Sequence, residues 1–318
     1  MSADPNTTVD TAGLTDLARG IRTRMAQVVT GKDRAVTLSV VALFAGGHLL
    51  LEDVPGVGKT LVAKALGRSV GGTVRRIQFT PDLLPSDVLG VNLFNQETRH
   101  FEFRPGAVFS NIVIADEINR ASPKTQSAML ECMAEGQASI DGTTYLMPDP
   151  FMVVATQNPI DMEGTYALPE AQRDRFMIRT SMGYPDAQEE VEMLGGGSAH
   201  RALDSLAPVA ALDDLVAARE AVRLLHTSPA LRGYVVSLLA ATRRGGDVLL
   251  GASPRAGQQL LHAAQAHAVL AGRDFVTPDD VQSLAEPVLA HRLVMRSRDA
   301  RAASEFVSHL VATVPVEG

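Results

Sequence analysis

Six residues, Pro55-Gly56-Val57-Gly58-Lys59-Thr60, leave this chain few folds to choose from. They directly follow the apolar run His48-Leu49-Leu50-Leu51 and precede a helical pattern beginning near Leu61. A triphosphate needs hydrogen-bond donors that can close in without side chains in the way, and glycines leave that room. A helix start adds free backbone N–H groups, Lys59 a point charge suited to β- and γ-phosphates, and Thr60 a hydroxyl suited to Mg²⁺. Such a loop works at the end of a strand and the start of a helix, so it calls for a sheet with helices packed on it. The full phosphate-loop pattern carries glycine at position 53, where this chain has Asp53. A dinucleotide fingerprint is excluded, because its third glycine would fall on Leu61.

The flanking sequence agrees. Strand-length runs stand at His48–Leu51, Arg76-Ile77-Gln78-Phe79, Ile112-Val113-Ile114-Ala115, Met152-Val153-Val154-Ala155 and Phe176-Met177-Ile178. The middle ones are continuously apolar, as strands covered on both faces are. Ser122-Pro123 opens a helix with a cap and a proline, and Gly136 stands where that helix should stop. Strands alternating with helices predict an α/β layer with a mostly parallel sheet. Two hairpins interrupt it: Val91 and Leu93 with Phe101 and Phe103, and Ala138 to Tyr145 turning at Asp141-Gly142. On pattern alone, each reads equally well as an extension of the sheet's edge.

After Pro185 the composition shifts. Gly195-Gly196-Gly197-Ser198 marks a loop, and beyond it the chain reads as helices almost to the end, with cap-plus-proline starts at Ser253-Pro254 and Thr277-Pro278. The expected organisation is a loose tail over 1–12, an α/β core over 13–186, a linker over 187–208 and a small all-α domain over 209–318. The 318 residues, 46% hydrophobic and 20% charged, exclude disorder of the whole chain. A net charge of −7 gives no whole-chain footprint for nucleic acid. One cysteine, Cys132, permits no intrachain disulfide, and no apolar stretch is long enough for a membrane span. A cytoplasmic protein is the expectation.

A second motif supports the first. The run Val113-Ile114-Ala115 ends in Asp116-Glu117, so two carboxylates arrive at the sheet's C-terminal edge, where ligands of open α/β sheets bind. There Asp116 would hold Mg²⁺ and Glu117 would polarise an attacking water. Val153-Val154-Ala155-Thr156-Gln157-Asn158 is another strand running into an amide, and Asn158 is placed to orient that water. Two arginines remain: Arg175, just before the last expected strand, and Arg255, in the first turn of a helix. The helix dipole disfavours a cation at that end, so Arg255 reads as serving a phosphate.

Taken together, Glu52 to Thr60, Asp116-Glu117-Ile118-Asn119-Arg120-Ala121, Thr156-Gln157-Asn158-Pro159, Leu168-Pro169-Glu170-Ala171-Gln172-Arg173-Asp174-Arg175-Phe176 and Gly251-Ala252-Ser253-Pro254-Arg255-Ala256 resemble the motifs of MoxR-family AAA+ ATPases, in the same order over about residues 14–300. The resemblance implies an AAA+ core with a helical lid, binding ATP and Mg²⁺ and working as a ring, commonly a hexamer. It implies that Pro55 to Leu61, with Asp116 and Glu117, form the Walker elements and that Asn158 is sensor 1. Arg175 then matches the arginine finger that reaches a neighbour's nucleotide, with Arg173 close by, and Arg255 matches sensor 2. Val28, Val29 and Gly31 match the segment that cradles adenine, and the hairpins match the helix-2 insert and presensor-1 insertion of this branch. Such proteins are associated with chaperone-like maturation of partners, often ones with von Willebrand factor A domains.

Other conspicuous residues read as structural. His262 and His267 are five apart and suggest no metal, Cys132 and the pair Met129 and Met133 suit a core, and Arg296, Arg298 and Arg301 suit a solvated face. Two other functions compete with an ATPase that remodels a protein. A nucleotide-gated scaffold would have no need of Glu117 and Asn158. A ring acting on nucleic acid is disfavoured by the net charge of −7.

Overall fold

Asp10 accepts from the Gly13 amide and starts helix α1 (Thr11–Val28), and α2 (Asp33–Phe44) follows. Strand β1 (Leu49–Glu52) leads through the glycine-rich loop into α3 (Lys59–Ser69). Next come β2 (Val74–Gln78), the short α4 (Pro85–Leu89) and a hairpin of β3 (Gly90–Asn95) with β4 (His100–Pro105). β5 (Ile112–Asp116) and α5 (Pro123–Glu135) precede a second hairpin, β6 (Gln137–Ile140) with β7 (Thr143–Leu146). β8 (Met152–Gln157), α6 (Glu170–Arg173) and β9 (Ile178–Thr180) complete the core. Helices α7 (Ala187–Leu194) and α8 (Ser198–Asp204) occupy the stretch expected as a linker. The remainder is α9 (Leu212–Arg223), α10 (Pro229–Arg244), β10 (Val248–Leu250), α11 (Pro254–Ala271), α12 (Pro278–Leu289), β11 (Val294–Met295) and α13 (Ala302–Thr313).

The computed structural model describes residues 10–54, 56–158, 165–194, 198–297, 299 and 301–316. Residues 1–9 of the tail expected over 1–12, Pro55 of the phosphate loop, the glycines at 195–197 and Arg298 lie outside the described residues, and α1 already begins at Thr11.

The five core strands form one parallel sheet in the order β2-β5-β8-β1-β9. β5 is buried along its whole length and β8 up to its last residue, which is what their unbroken apolar sequence requires. Alternate side chains feed two cores. Leu49, Leu51, Ile112, Ile114, Met152 and Val154 join the cluster under α1, α2 and α3. Leu50, Val113, Ala115, Val153 and Ala155 join the one under α5, with Met129, Cys132 and Met133. Burial pushes the Cys132 thiol up to about 12, so it stays protonated and packs. The first cluster continues from Ile21, Met25 and Val36 into Leu260, Ala264, Val281 and Leu284, so the C-terminal helices pack directly on α1 and α2.

Several elements differ from the sequence expectation or settle what it left open. Neither hairpin extends the central sheet; each is its own two-stranded ribbon. They lean on one another instead, with Phe103 stacked on Tyr145 at 4.0 Å between centroids and Asn92 Nδ2 donating to Asp141 Oδ2 at 2.7 Å. Aromatic area satisfied by a neighbouring ring does not need a sheet edge. The last core strand begins at Ile178 rather than Phe176, because the ladder starts where the Met177 and Ile178 amides donate to His48 O. The C-terminal helical domain also carries a two-stranded antiparallel ribbon, β10 with β11, whose three-residue and two-residue strands are too short to show as a pattern. Among the described residues, no helix is long and apolar enough to cross a membrane.

Candidate nucleotide-binding site

β1 delivers the chain to the sheet's C-terminal edge, and the loop there takes two left-handed residues, Gly56 (φ +86°) and Gly58 (φ +92°). A side chain would strain both positions, so these glycines are required by backbone shape as well as by ligand access. Gly58 caps α3, which starts at Lys59. The Lys59 ammonium spans the mouth of the loop, donating to Asp53 O at 2.5 Å and to Gln157 O at 3.4 Å. Burial holds its pKa below the usual lysine value, against the pull of Asp53, Asp116, Glu117 and Glu52. Val57 is buried, and Leu61 packs against the core.

Asp53, standing where the usual pattern has glycine, has a structural task. Its Oδ2 accepts from the Met182 and Gly183 amides at 2.6 and 2.7 Å, and its Oδ1 from the Val54 amide at 3.0 Å. The carboxylate thus ties the phosphate loop to the segment that follows β9. The same segment meets the end of α1. Lys32 Nζ donates to Tyr184 O at 3.0 Å and pairs with Glu189 at 3.1 Å, and a Cβ on Gly31 (φ +69°) would collide with the Glu189 carboxylate. Val28 and Val29 are buried beside it. The expected base-binding residues and the phosphate loop are therefore joined through residues 182–189.

Asp116 ends β5, and β2 and β8 on either side supply its partners. Its Oδ1 accepts from Thr156 Oγ1 at 2.5 Å. Its Oδ2 accepts from Arg76 Nη2 at 2.6 Å and Nε at 3.0 Å, and from Thr60 Oγ1 at 3.4 Å. Glu117 turns away in the left-handed region (φ +55°), an uncommon conformation for a non-glycine residue that often marks a functional site. Its amide donates to Thr156 Oγ1 at 2.9 Å. Its Oε2 accepts from Gln78 Nε2 at 3.1 Å and Arg120 Nη1 at 2.9 Å. Asn158 follows β8 at the same edge. Hydroxyl and carboxylate oxygens are the donor set Mg²⁺ takes, and Arg76 standing on Asp116 shows that this oxygen attracts a cation. Thr60 and Asp116 therefore fit Mg²⁺.

Sequence reasoning noted Asp53 only as a departure from the loop pattern and missed the roles of Arg76, Gln78, Arg120 and Thr156. Gln78 and Thr156 are polar side chains at the C-terminal ends of strands, Arg76 lies within β2 and Arg120 in the turn after β5, and only the strand order shows which carboxylate each of these four meets.

The two arginines lie elsewhere. Arg175 precedes β9, at the sheet's N-terminal edge, level with the residues before His48. Arg255 stands in the first turn of α11, whose cap Ser253 donates through Oγ to Asp174 at 3.3 and 3.4 Å. His48 and Asp53 stand at the two ends of β1, roughly 16 Å of strand apart, so both arginines are placed toward the edge opposite this chain's phosphate loop. The helix that carries Arg255 docks through its cap on Asp174, at that same N-terminal edge. Among the described residues, neither guanidinium has a hydrogen-bond or ion-pair partner, whereas Arg173 pairs with Glu170 at 3.8 Å. His267 meets a carboxylate, Asp280, at 2.7 Å, and no group of three His, Cys, Asp or Glu side chains among the described residues forms a metal cage.

A parallel sheet with a glycine-rich loop after β1, an Asp-Glu pair after β5 and a helical domain beyond defines an AAA+ nucleotide-binding protein with a lid. The profile of the ATPase family associated with various cellular activities (AAA) matches residues 48–178, and that of the AAA lid domain matches residues 240–312. The chain is 50% identical over 269 residues to protein YeaC of Bacillus subtilis, covering 85% of this chain and 84% of that one. It is 42% identical over 311 residues to Chaperone MoxR1 of Mycobacterium tuberculosis, covering 92% and 81%. A crystal structure of a Cytophaga hutchinsonii protein proposed to be an ATPase matches with a TM-score of 0.88 at 35% identity, covering 97% of each chain. The chain belongs to the MoxR family of AAA+ ATPases.

Proposed function

We propose that this protein hydrolyses ATP with Mg²⁺ in a closed ring of identical subunits and uses the cycle to remodel a protein partner in the cytoplasm. The observation that carries the reading is the division of the site between two edges of one sheet. Lys59, Thr60, Asp116, Glu117 and Asn158 stand at one edge, and the unpaired Arg175 and Arg255 at the other. A head-to-tail ring brings one subunit's arginines to the next subunit's phosphates.

In this reading the glycine-rich loop and Lys59 hold the β- and γ-phosphates. Thr60 and Asp116 would hold Mg²⁺, which would supply charge neutralisation for the phosphates. Glu117, released from Gln78 and Arg120, takes the proton of the attacking water, and Asn158 orients that water. Arg175 and Arg255 of the neighbour meet the charge that develops on the transferred phosphoryl group. Val28, Val29 and Gly31 bound the base. The relative named Chaperone MoxR1 supports a protein client, and a partner with a von Willebrand factor A domain is the class the family resemblance suggests. Exposed Phe94 and Phe101, paired at 5.4 Å on the first hairpin, offer apolar surface to such a client.

The test is complementation. Arg175→Ala should bind ATP and hydrolyse it poorly, and Lys59→Ala should fail to bind. Mixing the two inactive proteins creates intact junctions at about a quarter of the interfaces, and phosphate release should return. If labelled subunits exchange and no activity returns, the shared site is wrong.

A further inference from the structure

We infer that Arg292 and Asp174 are positioning residues that mount Arg175 and Arg255 as a single unit, so that the lid sets the geometry of the finger presented to the next subunit. The inference rests on the ring reading above.

Arg292 lies in the tight turn Ala290–Arg292 after α12 and is 4% exposed. Its Nε donates to Asp174 Oδ1 at 2.9 Å, and its Nη2 to Phe176 O at 2.6 Å and Asp174 O at 3.4 Å. Its Nη1 donates to Met177 O at 3.4 Å. Within the lid, Nη1 also donates to Val288 O, and Gln259 Oε1 shares the Nη2 donors. His291, also buried, donates through Nε2 to Phe176 O at 3.0 Å. Two consecutive lid residues therefore grip the backbone on both sides of Arg175 and leave its side chain unpaired.

The Asp174 carboxylate has a second partner. It accepts from Ser253 Oγ, and Ser253 in turn accepts from the Ala256 amide to start α11. Arg175 is the residue after Asp174, and Arg255 is two residues after Ser253. One carboxylate thus fixes the spacing between the two arginines. Desolvating a guanidinium is costly, and apolar side chains serve stability as well or better. What this planar, pre-organised group adds is a rigid set of donors that ties the Asp174 carboxylate and the neighbouring carbonyls to one frame. Without it, the Asp174, Phe176 and Met177 carbonyls around Arg175, which lies two residues beyond the four-residue helix α6, would lose the donor that fixes their direction. Phosphoryl transfer is sensitive to such placement, since a shift of about 1 Å at a catalytic group costs about a hundredfold in rate.

The test uses the full chain with Arg292→Lys, which keeps the charge and loses the fork. ATP affinity, measured by a fluorescent nucleotide, should stay within about twofold, because the variant's own phosphate loop is at the other edge. The kcat should fall about tenfold to a hundredfold, with KM for ATP nearly constant. Mixed with Lys59→Ala, which supplies an undamaged finger, activity should return; mixed with Arg175→Ala, it should not. Asp174→Asn carries the same comparison should Arg292→Lys melt too low to assay. The mixture of Arg175→Ala with Lys59→Ala runs beside these. If that control regains activity and the Arg292→Lys and Asp174→Asn mixtures with Lys59→Ala do not, the positioning role is wrong while the ring stands. A kcat within about twofold of wild type also overturns it. If the control itself regains nothing although subunits exchange, the ring reading falls and takes this inference with it.

Discussion

Arg76 donates twice to a single carboxylate oxygen of Asp116, at 2.6 and 3.0 Å, and Asp116 is the acid best placed to hold Mg²⁺. On the proposed function Mg²⁺ would compete with Arg76 for that oxygen, and part of its affinity would be offset by breaking an ion pair. The Arg76 side chain is 51% exposed, which limits the pair to about 1 kcal/mol after solvent screening. Arg76→Ala should therefore lower the Mg²⁺ concentration that half-saturates nucleotide binding by about two- to fivefold. A Mg²⁺ titration of ATP binding in both proteins checks this, and an unchanged or higher midpoint refutes it.

Glu117→Gln should bind Mg²⁺-ATP within about twofold of wild type and turn over about a hundredfold or more slower. The amide still accepts from Arg120 through its oxygen, but it cannot take a proton from water. Steady-state phosphate release measures the loss. Hydrolysis at the wild-type rate would assign the base to another residue.

Asp53→Gly would install the residue that phosphate loops usually carry, and we expect it to be harmful here. It removes the acceptor for the Met182, Gly183 and Val54 amides. Charged acceptors of this kind contribute about 2–3 kcal/mol, and the loop would lose its tie to residues 182–189. The variant should melt several degrees lower and bind ATP more weakly. A melting temperature equal to wild type, with unchanged affinity, would show that Asp53 is a neutral departure.

Much of the fold was legible because local signals and burial agree. Ser122 accepts from the Thr125 amide and Gly136 takes a left-handed turn, so α5 runs over Pro123–Glu135 between the cap and the stop read from sequence. The unbroken apolar runs of β5 and β8 became the centre of the parallel sheet. The phosphate loop and Asp116-Glu117 were legible because their chemistry is contiguous in sequence. The partners of those groups were not. Gln78 meets Glu117 only because β2 pairs with β5 in a register that sets Gln78 opposite Asp116. The place of Arg255 was hidden for the same kind of reason: a helix start shows a cap, but which sheet edge it docks on depends on Asp174 and Arg292, distant in the chain.

The lid's stability should depend on pH through Asp280. This carboxylate is 1% exposed, accepts from Arg273 at 2.5 and 2.6 Å, from His267 at 2.7 Å, and from the Thr277 amide and hydroxyl at 2.8 and 2.9 Å. Burial alone would raise its pKa, but the Arg273 fork, His267 and Thr277 outweigh it and hold the carboxyl well below the usual range. A folded pKa below the unfolded value of about 4 means the contribution is fully present above that value. It is lost progressively as pH falls through the unfolded and then the folded pKa. Asp280→Asn leaves the partly exposed Arg273 charge facing a neutral amide and should cost about 1.5–3 kcal/mol at pH 7, the range for a hydrogen bond to a charged group. Thermal melts at pH 7 and at about pH 3.5 decide the matter. The gap between wild type and Asp280→Asn should narrow at the lower pH, because only the wild type has this proton to gain. A gap that stays constant or widens would mean that Asp280 keeps an ordinary pKa in the folded protein.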